Sequence, residues 1–565
     1  MKLLQHFKEL TVNPKNAKEL KGLILQLAIQ GKLTGKWREE NKNIEPASEL
    51  IKRIEKKNDL LIKEKKIKKE KPLPRISKEE IPFGLTKTWV WTRLGDIGTT
   101  NVGLTYKPAH INDDGVPVLR SSNIQEGELC LKDLVRVNTD YREKDIIKEG
   151  DLLICARNGS RRLVGKCTII EQIDEIMVFG AFMAIFRSDF NPYLQLFIQS
   201  PQYRSKLDGV ETTTINQITQ GNLKETMVPL PPLEEQKEIV KVVETLFKEV
   251  AQLEQLTVER IGLKEDFVTS ALNQLTTNNA NQEWTFLQDH FKNFFNETTN
   301  IKKLRETVLQ LAVQGKLTAD WRTNNPDTED ASVLLKRIQE EKAQLIADKK
   351  IKKEKALPKI TKDDIPYELP EYWVWCRMSS ALKFIDYRGK TPNKITKGVR
   401  LLTAKNVRPG YLKINPEEFM SEEEYSNWMT RGFPEKGDIL FTTEAPLGNV
   451  CQLELDEKVG LAQRIITLQP YVSDLNKRYL MYCFMSEPFQ KLILDKATGM
   501  TAQGIKASKL KLIPFPLPPL EEQKAIVEEV NALMGLCDSL EQEVQQSQEQ
   551  SEMLMQSCLR EVFEN

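Results

Sequence analysis

Apolar residues at Leu20, Leu23, Ile24, Leu27 and Ala28 recur three and four apart, which predicts a helix over Ala17–Gln30 with one face to bury. Gly31 follows as a stop in the left-handed conformation. The pattern returns over Ile301–Gln314, with Gly315 as the stop. A lysine-rich amphipathic segment follows each copy and predicts second helices near Ala47–Glu70 and Ala331–Lys355. Prolines break both, at Pro72, Pro74 and Pro82 in one and Pro358 and Pro366 in the other. The period then shortens. Val116–Leu119, Asp151–Cys155 and Asp438–Thr442 are brief apolar runs beside Gly, Asn and Asp, and read as strands. Helical spacing resumes over Tyr193–Leu207 and Lys477–Leu494. The longest pattern is a 4-3 seam, Ile239, Val243, Leu246, Val250 and Leu253, inside a helix predicted over Leu233–Leu275. Its twin is Ile526, Val530, Leu533, Cys537, Leu540 and Val544. A single core helix also carries such a face; two copies in one register point to mutual pairing.

These twins belong to a repeat. LQLAIQGKLT at Leu25–Thr34 returns as LQLAVQGKLT at Leu309–Thr318, KIKKEK at Lys66–Lys71 returns at Lys350–Lys355, and Trp89-Val90-Trp91 returns as Trp373-Val374-Trp375. PLPPLEEQ at Pro229–Gln236 returns at Pro516–Gln523. Between the tryptophan and proline blocks the halves hardly match, although the inserts have nearly equal lengths. A repeat this long means two domain-sized halves rather than a solenoid. In the middle of the chain the long helix precedes the Ile301–Gln314 helix, whereas the counterpart of the latter for the C-terminal helix lies at the N-terminus. The N-terminal segment is therefore expected to dock beside the C-terminal helix, closing a permuted but complete frame.

Composition narrows the class. At 565 residues, 40% hydrophobic and 29% charged, the chain has room for several cores, and no apolar run reaches the length of a membrane span. The polar N-terminus does not read as a secretory signal. Eight cysteines without a C-x-x-C and only three histidines point to reduced thiols in a cytoplasm and away from structural zinc. Net charge is +1, so any polyanion contact is local. Lys52–Lys71, Arg388–Arg408 and the Arg157, Arg161, Arg162, Lys166 cluster are the basic candidates; a solvated surface is the alternative for each.

No catalytic set emerges. Asn191-Pro192-Tyr193 lacks the second proline of a base-gripping methyltransferase loop and reads as a helix start. Gly389-Lys390-Thr391 has the tail of a phosphate-binding loop, but Phe384 stands where its first glycine is needed. What remains are inter-strand loops rich in Arg, Lys, Asn and Ser, types that meet base edges and phosphates. The first insert offers Tyr106, Lys107, Arg120, Ser121, Ser122, Asn123, Arg157, Asn158, Ser160, Arg161 and Arg162. The second offers Tyr387, Arg388, Lys390, Thr391, Lys405, Asn406, Arg408, Thr443 and Glu444. Turn-forming or strand-capping roles remain open for each.

PLPPLEEQ before a heptad helix, Q-G-K-L-T-x-x-W-R and W-V-W-x-R together resemble the specificity subunit of type I restriction-modification systems. So do GLTYKP with VPVLRSSNIQ in the first insert and DYRGKTP, LLTAKN and GDILFTTEAPLGN in the second. The resemblance spans nearly the whole chain. It implies an α+β protein in which two α/β target-recognition domains are separated by a long antiparallel coiled-coil helix pair, with a pseudo-two-fold internal repeat. The expected layout is a helical region with a basic linker at 1–85, recognition domain 1 at 86–230, and a central region with the long helix at 231–316. A basic linker at 317–368, recognition domain 2 at 369–515 and a C-terminal helix at 516–565 complete it. The implied function is non-catalytic recognition of double-stranded DNA, each domain reading half of an asymmetric bipartite site. Two methyltransferase subunits would dock on the helices with S-adenosylmethionine and methylate adenine. Restriction subunits using ATP and Mg would join for cleavage. No cofactor, metal or membrane is expected for this chain itself. A self-sufficient restriction-methylation enzyme would need further domains on the same chain, and a plain coiled-coil scaffold would not need two unlike inserts.

Overall fold

The duplicated motifs lie far apart in sequence yet converge on one buried carboxylate in each half. In the computed structural model, which describes residues 16–64, 71–208, 216–277, 285–287, 289–387, 392–499 and 503–564, Glu235 sits in the first turn of a 45-residue helix, Leu233–Thr277. Its Oε1 accepts from Thr34 Oγ1 at 2.7 Å and from the Arg38 guanidinium. Its Oε2 accepts from Trp89 Nε1 at 2.9 Å. Glu522, in the first turn of the second 45-residue helix, Leu520–Glu564, takes the same three partners: Thr318 at 2.7 Å, Arg322 at 2.5 Å and Trp373 at 2.7 Å. Both carboxylates are fully buried. A buried anion needs this full set of partners, and the positive helix N-terminus adds to it. The spacing Q-G-K-L-T-x-x-W-R follows from the geometry: Gly31 and Gly315 stop their helices at φ +69°, and the chain turns to bring Thr and Arg back toward the glutamate.

The chain divides into two units, residues 1–261 with 549–565, and residues 262–548. In the first, Val90–Arg93 pairs antiparallel with Met227–Leu230, so the ends of the insert are joined in one two-stranded ribbon. Between them is a four-stranded antiparallel sheet in the order Thr99–Val102, Met183–Arg187, Leu152–Cys155, Cys167–Ile169. Beside it lies a three-stranded sheet, Val178–Phe179, Ile111–Leu119, Val135–Val137, whose first pair is parallel. In the second unit Val374–Arg377 pairs with Pro514–Leu517 in the same way. Its sheets follow the same plan: Leu382–Asp386, Ile465–Pro470, Ile439–Thr442, Val450–Gln452, and then Val459–Leu461, Val399–Leu402, Phe419–Met420. Inserts that hardly match in sequence therefore share one topology. Arg93 and Arg377 fasten the ribbons alike: Nε donates to Pro74 O at 2.7 Å and to Pro358 O at 2.9 Å, and Nη2 pairs with Glu80 at 3.0 Å and Asp364 at 2.9 Å.

Three expectations about helices change. Tyr193–Leu207 and Lys477–Leu494 are each two helices, Asn191–Gln199 with Pro201–Asp208 and Lys477–Met485 with Glu487–Lys496. Pro201 forces Ser200 into extended backbone, and Ser486 is extended as the N-cap of a helix that carries Pro488 in its first turn; helical periodicity registers neither break. The helix from Ala331 ends at Ala347, not Lys355, because Lys349 takes φ +58° and the next two amides turn back to Leu345 O.

The heptad seams are buried within their units. Ile239, Val243 and Val250 share a core with Leu20, Leu23, Leu27 and with Met555 from the end of the second long helix. Ile526, Val530, Cys537, Leu540 and Val544 share one with Ile301, Leu304, Val308 and with Val268 and Leu272 from the end of the first. Asn16 Nδ2 donates to Ser551 Oγ at 3.2 Å, so the N-terminal helix does dock beside the C-terminal one. Among the described residues no helix is long and apolar enough to cross a membrane.

Candidate nucleic-acid interface

Two loops per unit carry the polar residues singled out above. The first follows the buried end of a strand and is held by an asparagine. Asn123 Oδ1 accepts from Arg120 N at 2.9 Å and its Nδ2 donates to Cys130 O at 3.0 Å. Asn406 Oδ1 accepts from Thr403 N at 2.9 Å and its Nδ2 donates to Lys413 O at 3.0 Å. Both side chains are 1% exposed, so they shape their loops and do not face a ligand. Gly127 and Gly410 close the same turns at φ +89° and +85°. This frame presents Arg120, Ser121 and Ser122 in one unit and Lys405 in the other, where Thr403 and Ala404 are buried. Ser122 and Lys405 are exposed; Arg120 and Arg408 are half-buried.

The second loop leaves a strand of the four-stranded sheet. Asn158 Nδ2 donates to Ser121 Oγ at 3.3 Å, which joins the two loops of the first unit. Its Oδ1 accepts from Ser160 N at 2.9 Å. The Arg157 guanidinium lies 5.2 Å above the Phe182 ring. Arg161 and Arg162 are exposed; Arg161 Nη2 donates to Leu207 O of the neighbouring helix at 3.0 Å, and the Arg162 backbone O accepts from Arg204 Nη2 at 2.8 Å. In the second unit Glu444 accepts from Arg464 Nε at 2.9 Å with both side chains half-exposed.

The remaining candidates separate. Lys107 and Ser160 are exposed, and Tyr106 is half-buried against Leu104 and Val118. Tyr387 is buried, its hydroxyl donating to Gly432 O at 2.6 Å and accepting from Arg431 N at 2.7 Å. Thr443 is buried as well. Asn123, Asn406, Tyr387 and Thr443 thus hold backbone in place, a role that residue type and loop position alone do not distinguish from base contact. Arg388, Lys390 and Thr391 lie outside the described residues. The acid-free run Arg388–Arg408 is less basic in space than in sequence. Arg400 pairs with Glu417 at 2.8 Å and Glu457 at 2.6 Å, and Lys394 with Glu418 at 2.7 Å, all supplied by other segments. Sequence reasoning missed Phe182 and Arg464. Their signal is a large side chain immediately before an apolar run, which becomes a strand whose first four residues are buried.

Other chemistry is sparse. Burial pushes the Cys167, Cys376 and Cys451 thiols up to about 12, so they stay protonated at neutral pH. Among the described residues no group of three or more His, Cys, Asp or Glu is placed to hold a metal ion. Asn191 starts its helix as expected, with Nδ2 donating to Phe186 O at 2.8 Å and to Gly150 O at 2.7 Å.

Comparison with known proteins adds the decisive observation. The type I restriction modification DNA specificity domain matches residues 86–260 and again 350–550, one copy in each half. The chain belongs to that family. The specificity subunit of the type I restriction enzyme EcoAI from Escherichia coli is 31% identical over 93% of this chain and 90% of its own length. The EcoEI specificity subunit, also from Escherichia coli, is 29% identical over 94% and 91%. A solved chain from work on complex assembly and conformational transition of the type I R-M system shares the fold. It aligns at TM-score 0.51 and 17% identity over 85% of this chain and 99% of that one. This chain is thus a specificity subunit of the type I restriction-modification class, whose role is DNA sequence recognition.

Proposed function

We propose that this specificity subunit reads an asymmetric bipartite DNA site, one half with each insert, and itself carries no chemistry. The supporting observation is that one strand order and one asparagine-held loop occur twice while the side chains around that loop differ. Equal frames give equal docking; unequal side chains give unequal half-sites. The long helices would pair antiparallel as a coiled coil and set the distance between readers. A 45-residue helix spans roughly 68 Å at 1.5 Å per residue, which suits readers about a turn of DNA or more apart. Two methyltransferase subunits would dock on these helices, bring S-adenosylmethionine and methylate adenine. Restriction subunits would bring ATP and Mg for cleavage. A cytoplasmic location accords with the unpaired cysteines among the described residues, all but Cys130 buried. With net charge +1, non-specific affinity of the isolated chain should be weak and salt-dependent.

The test is methylation mapping. The chain is co-expressed with its methyltransferase subunit in an unmethylated host, and modified adenine is located by sequencing. The expected result is one asymmetric two-part motif that vanishes when this chain is omitted. Methylation that persists without it, or a single uninterrupted motif, would overturn the reading.

A further inference from the structure

Backbone hydrogen bonds put the second loops of the two units in register. Ala156 N and Arg157 N both donate to Phe182 O at 2.9 Å, and Thr443 N donates to Arg464 O at 3.0 Å. Ile218 N donates to Ala156 O at 2.7 Å, and Ile505 N to Thr443 O at 2.9 Å. Arg157 pairs with Gln217, and Glu444 with Gly504. Arg157 therefore occupies the position of Glu444, and Phe182 that of Arg464. Each unit has an arginine at this pair of positions, on opposite arms. In the first it rests on an aromatic ring that is 59% exposed. In the second it pairs with a carboxylate.

The Phe182 ring lies under the Arg157 guanidinium, and among the described residues no carboxylate pairs with it. Its donor fork is left for an acceptor pair, which on a base edge is guanine O6 and N7. Glu444 is the reverse case. One oxygen is held by Arg464, which leaves the other free of that bond and suited to accept from an exocyclic amine, as cytosine and adenine carry in the major groove. Resting on the proposed reading of one half-site by each insert, we infer that these paired positions are where the half-sites are told apart. Arg157 on Phe182 reads a guanine in the first, and Glu444 held by Arg464 reads an amino-bearing base in the second.

The test maps the motif for the assembled complex of the full chain with its methyltransferase subunit, comparing the unchanged chain with Arg157→Lys, Phe182→Leu and Glu444→Gln. Preference is then measured by competition between duplexes differing at one base pair, on purified complex, so that a folding loss lowers yield and leaves preference readable. Arg157→Lys keeps the charge and loses the fork. It should relax one guanine position of the first half-site, with preference falling roughly 10- to 100-fold. Phe182→Leu should relax the same position by about 2- to 5-fold. Glu444→Gln should relax one position of the second half-site and leave the first intact. An unchanged motif in the variants, or uniformly weaker binding with no position relaxed, would overturn the inference while the unchanged chain's two-part motif stands. If the unchanged chain itself directs no two-part motif, the underlying reading is what fails.

Discussion

Asn123 and Asn406 use both ends of their amides on backbone, and each loop takes its shape from that one side chain. Removing it leaves buried backbone groups without partners, so Asn406→Ala should lower stability by about 1–3 kcal/mol. It should also blunt discrimination in one half-site only, as read by urea unfolding and by duplex competition. The glutamate nodes matter more. Glu235→Ala or Glu522→Ala strands a partly buried arginine and a buried tryptophan N–H, a loss of up to about 3–5 kcal/mol. Because Trp89 and Trp373 sit at the nodes, each variant should shift the fluorescence-detected urea midpoint of its own unit; an unmoved midpoint would contradict the account. At this scale the sequence was half legible. The repeated motifs marked Thr34, Trp89, Glu235 and their twins as belonging together. Their shared purpose was hidden because partners such as Thr34 and Glu235 lie 201 residues apart. The loops' Asn and Arg types were visible as well, but an inward amide and an outward one have the same letter.

Among the elements, the 4-3 seams foretold both long helices, since burial of Ile239, Val243, Ile526 and Val530 is what that spacing is for. Periodicity failed at Ser200 and Ser486, where an apolar face continues through a break in the backbone. It failed again at Lys349, where the terminating conformation carries no glycine to announce it. If the long helices act as a ruler, removing one heptad from both Ile239–Leu253 and Ile526–Leu540 shortens it by about 10 Å, or about three base pairs at 3.4 Å each. The spacer in the methylated motif should shrink accordingly or binding should be lost, and mapping of modified adenine distinguishes these from an unchanged spacer, which would rule the ruler out.

For the molecule as a whole, the informative fact is that drifted sequence conceals equal topology. Both inserts begin and end in the same two-stranded ribbon and carry the same two sheets. The reason is physical. A strand order is specified by alternation and apolar content, which many sequences satisfy, whereas a loop that reads bases is specified residue by residue. The inserts should therefore be exchangeable as blocks cut within the ribbons. The most direct measurement is to graft residues 94–226 in place of 378–513, giving a chain with the first reader twice, and to map its methylated motif beside that of the unchanged chain. Two readers on one frame predict a symmetric site built from the first half-site twice, with the original spacer. A grafted chain that assembles with its methyltransferase yet keeps the original asymmetric motif would contradict the account.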